Sequence, residues 1–161
     1  MKLFKPRFWN YKYSILTIVL IPFSYLVILF IFLKKKIVKE RKFEIPIICI
    51  GNIYIGGTGK TPLAIFLTNE LKKLNKKPVI IKKFYKNQTD EHELIKQNCN
   101  ELILNKDRTN AVKDAIAKGY TTAILDDGFQ DYKLKKNLSI ICFHQNQLLG
   151  NEYIIPAGPL R

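Results

Sequence analysis

Acidic residues are scarce in this chain. Its 161 residues hold 13 Asp and Glu against 27 Lys and Arg, a formal net charge of +14. Cysteine is scarcer still. Cys49, Cys99 and Cys142 are an odd number without metal-ligand spacing, which argues against a disulfide framework and a cysteine zinc site. Cys49 and Cys142 lie in the apolar runs PIICIG and SIICF, where a reduced thiol serves as a small core side chain. The only histidines are His92 and His144. Internal repeats and low-complexity tracts are absent, and no RNA- or DNA-binding signature accompanies the basic charge.

The positive charge is unevenly placed. Residues 1–42 carry ten Lys and Arg against the single acid Glu40, whereas residues 43–161 carry seventeen against twelve acids. Basicity concentrated at one end argues for anionic lipid before nucleic acid. Between those basic flanks, Ser14 to Leu33 reads SILTIVLIPFSYLVILFIFL, twenty residues without a charge. As a helix this run is long enough for ~30 Å of hydrocarbon. A secretory signal is the competing reading, but the run is too long and is followed by Lys34-Lys35-Lys36, Lys39, Arg41 and Lys42 rather than a small-residue cleavage site. The expectation is therefore a retained membrane anchor over residues 1–42 and a globular domain over residues 43–161. The heavier basic cluster places residue 34 onward on the cytoplasmic face of the inner membrane, with Trp9, Tyr11 and Tyr13 suited to the headgroup region. A helix that dips into one leaflet and turns back at Pro22 is the alternative.

The globular part alternates strand and helix. EIPIICI (44–50) reads as a buried strand, and PVIIK (78–82), ELILN (101–105), TTAILDD (121–127) and LSIICFH (138–144) as four more. Residues 60–74 carry Leu63, Phe66, Leu67, Leu71 and Leu74 at helical spacing, with Pro62 tolerated in the first turn. Asp107 is suited to cap a second helix through Lys118, with Gly119 just past its end. This alternation predicts an α/β fold, a mostly parallel sheet with helices on both faces.

Chemistry concentrates between the first strand and the first helix, in Gly51-Asn52-Ile53-Tyr54-Ile55-Gly56-Gly57-Thr58-Gly59-Lys60-Thr61-Pro62. Glycines let several backbone N–H groups face one anion, and the following helix adds its positive end. Gly56, Gly57, Thr58, Gly59, Lys60 and Thr61 are thus candidate nucleotide-phosphate ligands. Lys60 would reach the β- and γ-phosphates, and the Thr61 hydroxyl would ligate Mg²⁺. The usual G-x-x-x-x-G-K-[ST] spacing wants glycine at position 54, where this chain has Tyr54. The bland alternative is a glycine-rich turn beside a surface lysine. Asp126 and Asp127 follow the apolar Ala123-Ile124-Leu125, as a carboxylate serving Mg²⁺ would at the end of a later strand.

GNIYIGGTGKTP resembles the GNxxxGGxGKTP signature of the lipid A 4′-kinases (tetraacyldisaccharide 4′-kinases). Asp126-Asp127-Gly128-Phe129-Gln130 resembles that family's DDGxQ, and Pro156-Ala157-Gly158-Pro159-Leu160-Arg161 its PAGPLR stretch. The resemblance implies a membrane-bound, P-loop NTPase-like kinase using ATP and Mg²⁺ to phosphorylate the 4′-hydroxyl of an acylated glucosamine disaccharide. Lys60 and Thr61 would bind phosphates and metal, Asp126 and Asp127 the metal. Asp90 would be the acidic member of an Asp–His dyad that activates the sugar hydroxyl. Substrate, ATP and membrane lipids are the implied partners, with neither nucleic acid nor a protein partner expected. The chain departs from the family where Lys83-Phe84-Tyr85-Lys86 replaces RGYG, where Thr89 and His92 flank Asp90-Glu91, and at Asp131. The family continues past PAGPLR into a second domain that supplies the dyad histidine. The resemblance thus makes residues 1–161 the N-terminal half of such an enzyme. The alternatives are a non-catalytic, membrane-anchored nucleotide-binding remnant and another membrane-associated P-loop ATPase.

Overall fold

Short apolar runs separated by helical stretches pair here into one parallel sheet. A computed structural model describes residues 5–54, 59–84, 89–99, 101–145 and 148–161. Two units emerge from the internal packing. One comprises Glu40–Gly51 and Gly59–Cys142, the other Met1–Lys39, Asn52–Thr58 and Phe143–Arg161.

Among the described residues the first unit holds five strands, β1 (Ile47–Gly51), β2 (Pro78–Lys83), β3 (Leu102–Asn105), β4 (Thr122–Asp126) and β5 (Leu138–Ile141). They lie in the order β3-β2-β4-β1-β5, every pair parallel. Period-2 alternation sends successive side chains to opposite faces. Cys49, Val79, Ile81, Ala123 and Leu125 meet Ala111, Val112 and Ala115 of helix α4 (Arg108–Ala117). Ile50, Ile80 and Ile124 meet Ala64 of α2 (Lys60–Lys73) and Ile95 and Cys99 of α3 (Thr89–Cys99). Central β4 is buried at all five positions, which is why it reads as an unbroken apolar run. Burying each large side chain there is worth about 1.5–3 kcal/mol relative to exposure.

Two expectations need correction. Phe66 and Leu74 are exposed, because α2 packs through Thr61, Ala64 and Thr68 with Leu63, Leu67 and Leu71 at the margin. Strand β5 stops at Ile141 rather than His144, since β1 offers its last partner when Cys142 N–H donates to Gly51 O (2.8 Å). Among the three free thiols, burial pushes Cys49 up to about 11, with nearby Lys136 opposing, and raises Cys99 and Cys142 as well.

In the second unit, Ile15–Ile37 form helix α1 with Pro22 inside it. Among the described residues it is the one helix long and apolar enough to cross a membrane, by length and composition. Its outward residues, including Ile18, Val19, Phe23, Leu26 and Phe30, are exposed. Its buried residues are Thr17 and Ser24, about two turns apart on one face. The Ser24 hydroxyl donates to Ile154 O (2.6 Å) and accepts from Ala157 N–H (3.1 Å). Trp9 Nε1 donates to Pro156 O (3.1 Å), beside a cis Ile155–Pro156 bond. The apolar helix is thereby joined to the PAGPLR stretch by polar bonds.

Helix α4 begins where its cap predicts. Asp107 Oδ1 accepts from Thr109 N–H (2.7 Å) and Asn110 N–H (3.4 Å). Burial raises the Asp107 carboxyl pKa, but the bonds from Thr109, Lys133 and Asn110 together outweigh it and leave the value lowered. A carboxyl depressed in the folded state contributes stability above its unfolded value and loses it as pH falls through the folded one. Asp107→Ala should therefore cost about 1 kcal/mol at neutral pH. The difference from the parent in urea unfolding should shrink as the solution is acidified; a pH-independent difference would refute the carboxylate cap.

Candidate phosphate and metal site

The carboxyl ends of β1 and β4 lie side by side, with Ile50 in register with Asp126. From β1 the chain crosses toward β2, and from β4 it crosses the other way toward β5. Such a switch point opens a crevice beyond the strand ends, where ligands of open α/β sheets bind. Gly59, at φ 72°, is the N-cap residue of α2 and brings no side chain of its own to cap it. The helix's first N–H groups and positive dipole end therefore suit an anion.

Lys60 and Thr61 are the first two residues of α2. Thr61 Oγ1 donates to Asp126 Oδ2 (3.0 Å), and Lys60 Nζ lies 3.6 Å from Asp127 Oδ1. Four of the predicted residues, Lys60, Thr61, Asp126 and Asp127, thus come together. Gly56, Gly57 and Thr58 lie outside the described residues. Asp90 is in the first turn of α3, and its side chain, like that of His92, falls outside the description. His144 is exposed, and its N–H donates to the Tyr54 hydroxyl.

Among the described residues, two further cations lie at the site. Lys82, in register with Asp126 across β2 and β4, places Nζ 3.0 Å from Asp126 Oδ2. The side-chain exposures of Lys82 and Asp126 are 7% and 1%. Arg108 Nη2 donates to Asp126 O (3.3 Å) and Asp127 O (2.8 Å), and its Nη1 is 3.8 Å from Asp131 Oδ2. Asp127 takes φ 60° and donates its N–H to Ile50 O (2.8 Å), so Arg108 and β1 together hold a left-handed turn. A cation in the first turn of a helix opposes the macrodipole, a local signal that Arg108 answers to something outside its own helix. Lys82 at the end of an apolar strand carries no comparable signal.

Whether Mg²⁺ fits this site is tested by the oxygens. Asp126 Oδ1 is buried and, among the described residues, accepts no hydrogen bond, beside an Oδ2 that accepts two. A carboxylate and a threonine hydroxyl are hard donors suited to Mg²⁺. No group of three His, Cys, Asp or Glu gathers among the described residues. A cation here would take its remaining oxygens from phosphates and water, as Mg²⁺ does in nucleotide sites. The residues fit.

The glycine that opens the loop has its own constraint. A Cβ on Gly51 would stand 2.6 Å from Phe129 Cδ2, so the aromatic ring of DDGFQ covers the glycine of GNIYIGG. In the other unit, Asn52 Oδ1 accepts from Arg161 Nη2 (2.8 Å) and Ile53 O from Arg161 N–H (2.9 Å). Tyr54, where glycine is usual, is fully buried, bridged to Leu160 and in ring contact with Phe143. Its side chain is a core anchor.

A parallel sheet whose first strand leads into GKT at a helix start, beside a strand ending in aspartate, defines a P-loop NTPase-like fold. Comparisons with known proteins narrow this. The family described as Tetraacyldisaccharide-1-P 4'-kinase (LpxK) matches residues 16–161. The tetraacyldisaccharide 4'-kinase of Pelagibacter ubique is 46% identical over 162 residues, covering 100% of this chain and 51% of that protein. That of Coxiella burnetii is 32% identical, covering 97% and 55%. A crystal structure of LpxK from Aquifex aeolicus in complex with ATP superposes with a TM-score of 0.73 at 28% identity, over 91% of this chain and 54% of that one. The chain belongs to the tetraacyldisaccharide 4'-kinase family, and it spans about half the length of the curated relatives it matches.

Gly51→Ala should destabilise the sheet unit by about 1–3 kcal/mol, the usual range for overpacking. Phe129→Leu in the same chain should recover part of that loss. A double-mutant cycle by urea unfolding checks it, and strictly additive effects would show that the ring does not set the requirement for glycine.

Proposed function

We propose that this chain carries the nucleotide site of a kinase that transfers the γ-phosphate of ATP to the 4′-hydroxyl of an acylated glucosamine disaccharide, a step of lipid A synthesis. The observation that carries the reading is Thr61, next to Lys60 at the start of α2, bonded to a buried Asp126 at the end of β4. The start of α2 and Lys60 receive the β- and γ-phosphates. Thr61 and Asp126, with Asp127 in support, would hold Mg²⁺, which would neutralise charge on the phosphate oxygens. Arg108 keeps the two aspartates in place through their carbonyls. The sugar oxygen attacks the γ-phosphorus, the bond to the ADP oxygen breaks, and the hydroxyl proton needs an acceptor. Asp90 is our candidate for that proton-handling group, by family resemblance, acting with an imidazole.

The exposed apolar surface of α1 and the run Lys34-Lys35-Lys36 at its end support attachment to an anionic membrane, with the site on the cytoplasmic side. An acylated substrate stays in the bilayer, so its enzyme must reach the surface.

The test is ATP binding by the chain, followed by phosphate transfer by the protein expressed from its complete reading frame. Lys60→Ala should weaken Mg-ATP binding roughly tenfold or more and slow transfer by roughly 10²-fold, with little change in thermal stability. ATP affinity unchanged in Lys60→Ala would sink the phosphate-site assignment. ATP hydrolysis indifferent to the disaccharide lipid would sink the kinase reading.

A further inference from the structure

The two aspartates of the site are each matched by a lysine, Asp126 by Lys82 and Asp127 by Lys60. The Asp126–Lys82 pair is the buried one, and it is built from opposite sheet positions rather than from a flexible loop. We propose that Lys82 is the internal counter-cation of Asp126. It is a positioning residue that keeps this carboxylate closed to a divalent cation arriving alone and open to one arriving on nucleotide phosphates. The inference rests on the nucleotide-site reading above.

Two observations and one general principle support it. Asp126 Oδ2 accepts from both Thr61 and Lys82 while Oδ1 accepts from nothing among the described residues, so the carboxylate is held from one side with its other oxygen in reserve. Pro78, Val79, Ile80 and Ile81 precede Lys82 in β2 and are all buried, so an apolar side chain at 82 would suit the strand. A buried ion pair is seldom more stabilising than an apolar replacement of both partners, so stability alone is a poor reason for this one.

The consequence follows from charge. A bare divalent cation must displace a desolvated ammonium and also shed its own tightly held water. Phosphates bring anionic oxygens that receive the displaced ammonium, whose four-carbon stem lets it turn without moving the strand. Lys82 thus sets the order in which metal and nucleotide enter.

Mn²⁺, read as the excess of total metal on the protein side in equilibrium dialysis, is the probe, since Mn-ATP free in solution is equal on both sides. The parent chain should take up Mn²⁺ weakly alone and readily with ATP. Lys82→Met should bind Mn²⁺ alone roughly tenfold or more tightly than the parent. Lys82→Arg, which keeps the charge, should stay close to the parent. Lys82→Gln keeps a donor for Asp126 and serves if the methionine variant fails to fold, which a thermal melt reports. Unchanged affinity for Mn²⁺ alone in the folded neutral variants would overturn the proposal. So would equal tightening in Lys82→Arg, which would mark a packing effect. A parent chain that takes up no Mn²⁺ even with ATP would instead overturn the nucleotide-site reading, and this inference with it.

Discussion

A carboxylate buried at the end of a central strand is the constraint around which the rest of the sheet unit is arranged. Leaving water is costly for Asp126, and the cost is tolerable only where donors wait for it. Thr61 and Lys82 supply them from α2 and β2, while Arg108 takes the backbone carbonyls that the turn exposes. Each donor requires its own element at a fixed register. That requirement links β2, β4, the start of α2 and the start of α4 more specifically than apolar packing, which tolerates many repackings.

The same arrangement explains the glycines that flank it. Gly128 has no room for a Cβ, with Leu125 Cβ at 2.9 Å and Cys49 Sγ at 3.1 Å from where one would stand. Gly51 is covered by Phe129. The loop glycine and the turn after the aspartates are therefore one packing problem solved from two places in the chain. Signature motifs far apart in sequence stay together because neither glycine tolerates a neighbour that has moved.

Much of this was legible beforehand, for identifiable reasons. All five strands and the first and last helices of the sheet unit follow from apolar runs, a capping aspartate and a glycine stop, which are local signals. The position of Asp126 followed from the run before it. Lys82 was illegible because a lysine closing an apolar strand reads as its solvated end; its partner comes from a strand 44 residues on. The helical stripe overreached at Phe66 and Leu74 because spacing marks a face without showing how wide a face the neighbouring layer covers. Tyr54 stood out as a departure from the glycine pattern, and its role depends on Leu160 and Phe143, far along the chain.

The bond between Asn52 and Arg161 spans 109 residues. During translation the segment leading into the glycine-rich loop emerges early, yet this clasp cannot form until residue 161 has cleared the ribosome. Closing so long a loop is entropically slow, and contacts of this kind are the ones that delay folding. Until then the entrance of the glycine-rich loop stays unclasped in the nascent chain, with the apolar α1 already made ahead of it.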